Sequence, residues 1–408
     1  MKVHDLDLKH DVIIIGSGAA GMIAAISAAE RHRKVLLIEK ADRPGRKILA
    51  SGNGRCNLMN RGKPRYYGDP GFAGKVFGNC SGDDLSTFFR RYGLFLNEEE
   101  EGRVYPLTNQ SQSVLSVLKN ALALNGVSVR MNCRAESVRW DGPVFRVTVS
   151  TLETLEAGKI IVACGGAAQP KLGGSPDGYE ILRSLGHTVV PPVPSLVPLN
   201  TDNRSISGLS GIRIRCTVSV ARGNEMIHRE EGEVLFTDYG VSGICVMQCA
   251  RFIEDGDCCL LLNLLRHAFP GRDEALRELR ERKLRFAACQ PVWLLNGILP
   301  EKVSYAVLKQ AGVPMRGETA GEISDDTLGK IADTAFAYRI GVTGSRGFEY
   351  AQVTAGGVVC REFNPSTMES VLVPGLYAAG EVLDVDGDCG GFNLMFAFAS
   401  GRIAGSAV

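Results

Sequence analysis

The chain has 408 residues, of which 22% are charged, and a formal net charge of +1. That length supplies two or three domains with ample core, the charged fraction is that of an ordinary globular enzyme, and the near-neutral balance argues against a nucleic acid or an anionic membrane surface, which select basic faces. No apolar run reaches the about 18 residues that span a bilayer, and residues 1–10 are too polar and mixed in charge for a signal peptide, so the expected place is the cytoplasm.

The first element carries the most information. Asp11-Val12-Ile13-Ile14-Ile15 reads as a buried strand, and Gly16-Ser17-Gly18-Ala19-Ala20-Gly21 as a glycine loop opening an alanine-rich helix that ends near Arg31. Gly16 permits the tight turn, Gly18 lets the backbone approach a pyrophosphate, and Gly21 lets helix and strand pack closely. Ala19 and Ala20 begin the helix, whose free N–H groups aim at phosphates. A second strand over 34–38 ends at Glu39, about 20 residues past the glycines, where a carboxylate accepts hydrogen bonds from a ribose diol. Lys40 follows it.

Next comes Ala50-Ser51-Gly52-Asn53-Gly54-Arg55-Cys56-Asn57, too rich in glycine for a regular element and expected as a loop held against something flat or charged. Helices are predicted over 84–92 and 112–125, strands over 127–130 and 144–149, and a buried strand over 159–166 that ends in the turn Gly165-Gly166. Pro191, Pro192, Pro194 and Pro198 mark a domain boundary. A hairpin around Gly223-Asn224 joins 213–222 to 225–236. Helical periods then cover 272–284, 304–310 and 325–337, so this strand-then-helix segment reads as an inserted α+β domain. The α/β pattern resumes over 347–359 and in Gly375-Leu376-Tyr377-Ala378-Ala379-Gly380-Glu381, another apolar strand ending in glycine and an acid. The last helix, over 393–407, is apolar nearly all round and is expected to lie buried against the first domain.

The twelve cysteines are scattered in a long chain with no Cys-x-x-Cys, and the six histidines are dispersed, so free thiols and no metal site are expected. An NAD site is built from one continuous βαβ unit and its neighbours. Here the second glycine-and-acid strand end lies far downstream of the first, a spacing that suits FAD. Glu39 disfavours a 2′-phosphate at this site.

Beyond Glu381 the chain resembles the BaiN-like family of NAD(P)/FAD-dependent oxidoreductases, also described as aminoacetone-oxidase-like flavoproteins. The matching stretches are Arg43-Pro44-Gly45-Arg46-Lys47, Ser51-Gly52-Asn53-Gly54-Arg55-Cys56-Asn57, Gly102-Arg103-Val104-Tyr105-Pro106, Val353-Thr354-Ala355-Gly356-Gly357-Val358, and the run from Gly380-Glu381 through Asp388-Cys389-Gly390-Gly391-Phe392-Asn393. They cover the chain from end to end. The resemblance implies an α/β fold with a two-part Rossmann-like FAD-binding domain, residues 1–194 and 348–408. An inserted α+β domain, 195–347, would be a β subdomain plus a small helical one over about 265–335. This chain departs from the family at Cys164 (commonly Thr), at Ala168-Gln169 (commonly Ser-Tyr) and at Asp238 (commonly His).

The resemblance also implies cofactor contacts from Gly391, Asn393 and Leu394 at the last helix's start, where N–H groups stabilise charge on a reduced ring. Further contacts are expected from Gly165, Gly380, Glu381 and Asp388, from Ser51, Gly52, Gly54, Arg55, Cys56 and Asn57, and from Arg46 and Lys47, which neutralise the pyrophosphate or face the ring. Cys56 and Cys389 are read as unreactive thiols, since neither has a resolving partner or activating base. Tyr105 and Asp238 are the candidate proton donors, and no catalytic residue is assigned. The expectation is an FAD-dependent oxidoreductase acting on a small or hydrophobic organic molecule at the domain junction, with NAD(P)H as transient electron donor. A substrate-reduced amine oxidase, a flavin-dependent RNA-modifying enzyme and a non-catalytic flavin-binding protein stay open, as does the oligomeric state.

Overall fold

The computed structural model describes residues 9–253, 258–314 and 317–408; the reading of the chain's polar start falls, up to residue 8, outside them. The described residues form two compact units, one running to Val193 and resuming over Gln352–Val408, the other Pro194–Ala351.

In the first unit the strand His10–Ile15 pairs in parallel with both Val35–Ile38 and Thr154–Val162. Neighbours on both edges and cover on both faces explain why the run is apolar without alternation. Ser128–Arg130 pairs in parallel with Val35–Ile38, and Leu376–Ala378 with Thr154–Val162. Antiparallel strands Val144–Val149 and Ala135–Asp141 complete the sheet. The register puts Ile15 level with Ile38 and Val162, and Val162 level with Ala378. The next residues, Gly16, Glu39, Ala163 and Ala379, therefore leave the sheet at one common end, where doubly wound sheets bind ligands.

The helix after the glycine loop, Ala19–Ala29, is almost wholly buried. The terminal helix, Phe392–Ala407, packs on it through bare backbone: a Cβ at Gly401 would stand 2.3 Å from the Ala20 carbonyl oxygen, and one at Gly405 2.1 Å from that of Ala24. This contact accounts for a helix with no polar face.

Some elements differ from expectation. The 50–57 stretch is not wholly irregular: a short helix, Arg46–Ala50, starts from Gly45 in the left-handed region and runs into a 3₁₀ turn, Ser51–Gly54. Within that turn Gly52 and Asn53 adopt φ of +56° and +55°, so glycine content breaks the helix without abolishing it. The proline-rich stretch, within which the division between the two units falls, also forms a strand, Val189–Ser195, paired among the described residues only with Val353–Val358, the two-stranded setting in which missing N–H donors cost little. The strand expected over 159–166 begins at Thr154, and that over 347–359 is confined to Val353–Val358.

The second unit is a closed barrel of six antiparallel strands. Leu199–Thr201, Gly240–Ser242, Glu225–Phe236, Arg213–Arg222, Cys258–Asn263 and Tyr338–Ser345 follow one another round it, and the last pairs back onto the first. Closure removes the exposed edges an antiparallel sheet would otherwise present. Helices Arg272–Arg285, Glu301–Gln310 and Asp325–Phe336 interrupt the barrel between its last two strands.

Candidate functional site

Two glycines of the loop are fixed by their own neighbours. Gly16 has φ +103°, and a Cβ there would come 2.5 Å from the Ala163 carbonyl oxygen. A Cβ on Gly21 would meet the Gly16 carbonyl oxygen at 1.8 Å. Gly18 is different: its φ of −75° suits any residue, and nothing lies within 4 Å of where its Cβ would be. The space in front of Gly18 is kept open by the fold and faces the first turn of the helix, where the N–H groups of Ala19 and Ala20 have no intrahelical acceptor.

Glu39 stands beside this opening. Its Oε2 accepts from both the N–H and the hydroxyl of Ser17, each at 2.8 Å, and its Oε1 accepts from the Ala41 N–H at 2.9 Å. These bonds lock the carboxylate's orientation, and Oε1 keeps a lone-pair direction for a further donor.

The cations named from sequence all take protein partners. The Lys40 Nζ donates to Ser175 at 2.5 Å and pairs with Asp177 at 3.1 Å, and Arg134 reaches the same carboxylate at 2.8 Å. Burial pushes Asp177 up, but Arg134 and Lys40 outweigh it and hold the carboxyl below its ordinary range. Lys40, Arg134, Ser175, Pro176, Asp177 and Glu180 line a cleft. Sequence reasoning found only Lys40 of this group, because the others come from elements far along the chain. Arg46 donates to the Lys171 carbonyl at 2.8 Å. The Arg55 guanidinium lies 4.0 Å over the Tyr105 ring and bonds Glu99 and Asn109, each at 2.5 Å.

Lys47 reaches across the chain to Glu381, Nζ to Oε2 at 2.8 Å. The same carboxylate accepts from the Thr354 N–H at 2.8 Å and the Gly166 N–H at 3.4 Å, beside Gly165 with its φ of +73°. Gly380, φ +79°, donates its N–H to Ser400 at 3.0 Å. The structure thus joins the second glycine-and-acid strand end to the short helix Arg46–Ala50 through one half-buried ion pair.

The start of the terminal helix is built by remote residues. Gly391, at the N-cap with φ +102°, has the Met59 carbonyl oxygen and Asn57 Oδ1 at 2.5 and 2.6 Å from its virtual Cβ. Asn393 turns its side chain backward, accepting from the Gly387 N–H and donating to the Gly387 carbonyl, both at 2.8 Å. Its amide therefore shapes the preceding loop, and what it offers a ligand is its main-chain N–H, alongside that of the half-buried Leu394. Asp388 is buried, held by Tyr67 at 3.0 Å and Arg65 at 2.5 Å. Asn57 Oδ1 is buried without a hydrogen-bond partner, a vacancy that a bound donor would satisfy. Tyr66, Tyr67, Arg65 and Asn60, which donates to the Gly390 carbonyl at 2.8 Å, were not legible as site residues. Their role is set by contacts hundreds of positions away.

Cys56 is buried with φ +59°, and burial pushes its thiol up to about 12, a minor lowering by Ser51 notwithstanding. Burial likewise raises Cys389. Neither thiol is activated. Among the described residues no group of three or more candidate ligands could hold a metal, and no helix is long and apolar enough to cross a membrane.

The model of the HI0933-like protein Rossmann domain matches residues 10–407. The chain belongs to the HI0933-like family. As a member of it the protein is an FAD-dependent oxidoreductase, in agreement with the resemblance read from its motifs. This HI0933-like chain is 34% identical over 404 residues to a 3-dehydro-bile acid delta(4,6)-reductase of Clostridium scindens, covering 97% of itself and 98% of that protein. It is 30% identical over 406 residues to the ribosomal RNA dihydrouridine synthase of Escherichia coli, covering 96% of each. Among solved structures, the 3-ketosteroid-delta4-(5alpha)-dehydrogenase of Rhodococcus jostii RHA1 aligns over 98% of this chain and 97% of its own, with 13% identity and a TM-score of 0.48.

Proposed function

We propose that the protein is an NAD(P)H-fed flavin reductase that saturates a carbon–carbon double bond conjugated to a carbonyl in a small or hydrophobic organic molecule. The observation that carries this reading is that two relatives spanning nearly the whole chain have unlike substrates and one chemistry. Their names describe reduction of ring double bonds in a 3-oxo bile acid and in uridine, each activated by a carbonyl.

The residues at the common strand end fit FAD. Gly16, Gly18 and the N–H groups of Ala19 and Ala20 would take the pyrophosphate, with the open space at Gly18 as the approach. Glu39 would hold the ribose diol. Gly165, Gly380 and the Lys47–Glu381 pair would border the ribityl chain, with Lys47 neutralising the carboxylate. Gly391, Asn393 and Leu394 would present main-chain N–H groups to the ring, and the buried Asn57 Oδ1 would accept from it. Ser51, Gly52, Gly54, Arg55 and Cys56 would shape the turn opposite, with Lys40, Arg46 and Asp388 bracing the flanks through the partners described above. Bound FAD supplies hydride chemistry. Tyr105, under Arg55 and beside the Gly52 turn, is the candidate to deliver the proton that must accompany the hydride.

A second reading, reduction of a uridine in RNA, is favoured by the Escherichia coli relative, whereas the net charge of +1 favours a small molecule. The test is an anaerobic visible spectrum before and after NADH or NADPH, followed by a 3-oxo-4,6-diene steroid or a uridine-containing rRNA fragment. Bleaching by the nucleotide and reoxidation by the steroid is the expected result. Reoxidation by the RNA alone selects the second reading. A flavin that neither nucleotide reduces sinks both.

A further inference from the structure

Arg103 stands in a small sheet of the first unit and has no part in holding FAD in the reading above. Met59–Asn60, Arg103–Pro106 and Leu96–Glu98 pair as three antiparallel strands, with Arg103–Pro106 in the middle. Side chains two apart on a strand share a face and stand about 7 Å apart, so Arg103 and Tyr105 lie on one face. The register adds Asn60, level with Arg103. This face meets the start of the terminal helix: Asn60 donates to the Gly390 carbonyl at 2.8 Å, and the Arg103 Nε is 3.8 Å from a Cβ built on Gly390. Arg55 joins the same face by lying 4.0 Å over the Tyr105 ring. Two guanidiniums thus stand about one strand repeat apart, beside the residues proposed to face the flavin ring.

Both cations are engaged by one acidic hairpin. The turn Glu100–Gly102 joins the outer strand to the middle one and is closed by the Glu99 N–H, which donates to the Arg103 carbonyl at 2.8 Å. The Glu99 carboxylate reaches Arg55 at 2.5 Å, and that of Glu101 pairs with Arg103. The Glu101 side chain is 70% exposed, and its φ of +59° is a left-handed conformation that a residue with a side chain seldom adopts. Ion pairs this open to water hold little free energy, so the two carboxylates cover the guanidinium forks without closing them to a more highly charged anion. Forks that fit a carboxylate also fit phosphate oxygens, and two of them one strand repeat apart match two linked phosphates. Arg61 supplies the contrast. It pairs with Asp83 at 2.8 Å and with Glu98 at 3.4 Å, and Glu98 is level with Val104 and so belongs to the opposite face of the sheet.

We propose that Arg55 and Arg103 form a docking site for a diphosphate, the pyrophosphate of the nicotinamide dinucleotide that reduces the flavin, and that Glu99 and Glu101 occupy the site as internal competitors until the nucleotide displaces them. This rests on the reductase reading and gives its electron donor a place on the first unit. The glycine loop is spent on the FAD pyrophosphate in that reading, so a second dinucleotide needs separate cations. Acids tethered beside those cations return the site to its covered state once the oxidised nucleotide leaves. Lysine, a point charge without a planar fork, cannot replace Arg103 fully.

The test compares wild-type holoenzyme with Arg103→Gln, Arg103→Lys, Glu101→Gln and Arg61→Gln. Anaerobic bleaching of the flavin is followed against NADH and NADPH concentration, and inorganic pyrophosphate is titrated calorimetrically into each protein. Flavin content should match wild type throughout. Arg103→Gln should raise the half-saturating concentration of the reducing nucleotide about tenfold and weaken pyrophosphate equally, the loss of one charge-assisted hydrogen-bonded pair. Arg103→Lys should recover part of the loss. Glu101→Gln should shift both readings the other way by about threefold, the worth of an exposed ion pair, and Arg61→Gln should move neither. A nucleotide dependence that Arg103→Gln leaves unmoved, or that Arg61→Gln shifts as far, would overturn the site while leaving the reductase reading intact. Equal pyrophosphate binding by wild type and Glu101→Gln would overturn the competing role of the acids. If neither nucleotide bleaches the flavin, the reductase reading fails, and the pyrophosphate titration decides the site separately. Binding about tenfold tighter to wild type than to Arg103→Gln upholds it; equal or absent binding overturns it. Displacement of pyrophosphate by an rRNA fragment at lower concentration than by NADH would overturn the dinucleotide in favour of an RNA backbone.

Discussion

The two glycine-bearing ends of the first unit look alike in sequence and are built on opposite principles. At the first, Gly21 is pressed on the Gly16 carbonyl within one turn of backbone, Gly16 lies against Ala163 of the neighbouring strand, and Gly18 is left facing open space. At the second, Gly391 is hemmed by Asn57 and Met59, and Asn393 is spent on Gly387. The first is mostly local, a strand and the helix that follows it, with one contact from the neighbouring strand of the sheet. The second exists only when distant segments have docked, so its glycines report tertiary contact.

The sharpest way to break this contrast is Gly21→Val. With a carbonyl oxygen 1.8 Å from the new Cβ, strand and helix must separate, costing several kcal/mol, of the order that unfolds a domain; no soluble, flavin-loaded protein should be recovered. Gly18→Val should do the reverse. Its backbone is extended and its surroundings empty, so the apoprotein should melt within about 1 kcal/mol of wild type, while FAD affinity should fall by about 100-fold or more as the side chain fills the pyrophosphate's place. Full flavin occupancy in Gly18→Val would remove that glycine from the proposed site. Gly391→Ala adds a methyl 2.5 Å from a backbone oxygen at φ +102°, and a loss of about 2–4 kcal/mol is expected in denaturant titration.

Glu39→Gln should weaken FAD by about tenfold, since a neutral amide replaces a charged acceptor while much of the shape survives; equilibrium dialysis would read it. The smallest effect concerns His187, buried between Glu362 at 2.9 Å and Ser370 at 3.0 Å. Burial lowers its pKa from 6.5, and the pull of Glu362 does not overcome that. Folded protein therefore binds this proton less readily than unfolded protein. The contribution is full above about pH 6.5 and is lost as pH falls below it. The drop in urea midpoint from pH 7.5 to 5.5 should be smaller in His187→Gln than in wild type.

What was legible follows the same division. The glycine loop, Glu39, the hairpin around Gly223-Asn224 and the apolar terminal helix are statements about neighbours in sequence, and periodicity and turn chemistry reveal them. The partners of Lys40, the Lys47–Glu381 bridge and the backward turn of Asn393 depend on which strands lie side by side, which a pattern of residue types does not encode. The strand within the proline-rich stretch was not legible for a related reason: missing donors argue against a strand unless the sheet has only two members.

The bare-backbone seam between the two helices of the first unit also sets an order of events during synthesis. Gly401 and Gly405 press on Ala20 and Ala24, which leave the ribosome hundreds of residues earlier. Until the terminal helix emerges, the apolar flank of the glycine-loop helix has no cover and the nascent chain must be kept from associating through it. The main-chain N–H groups at the start of the terminal helix, proposed above to face the flavin ring, are brought to their place only once that helix has docked on this seam.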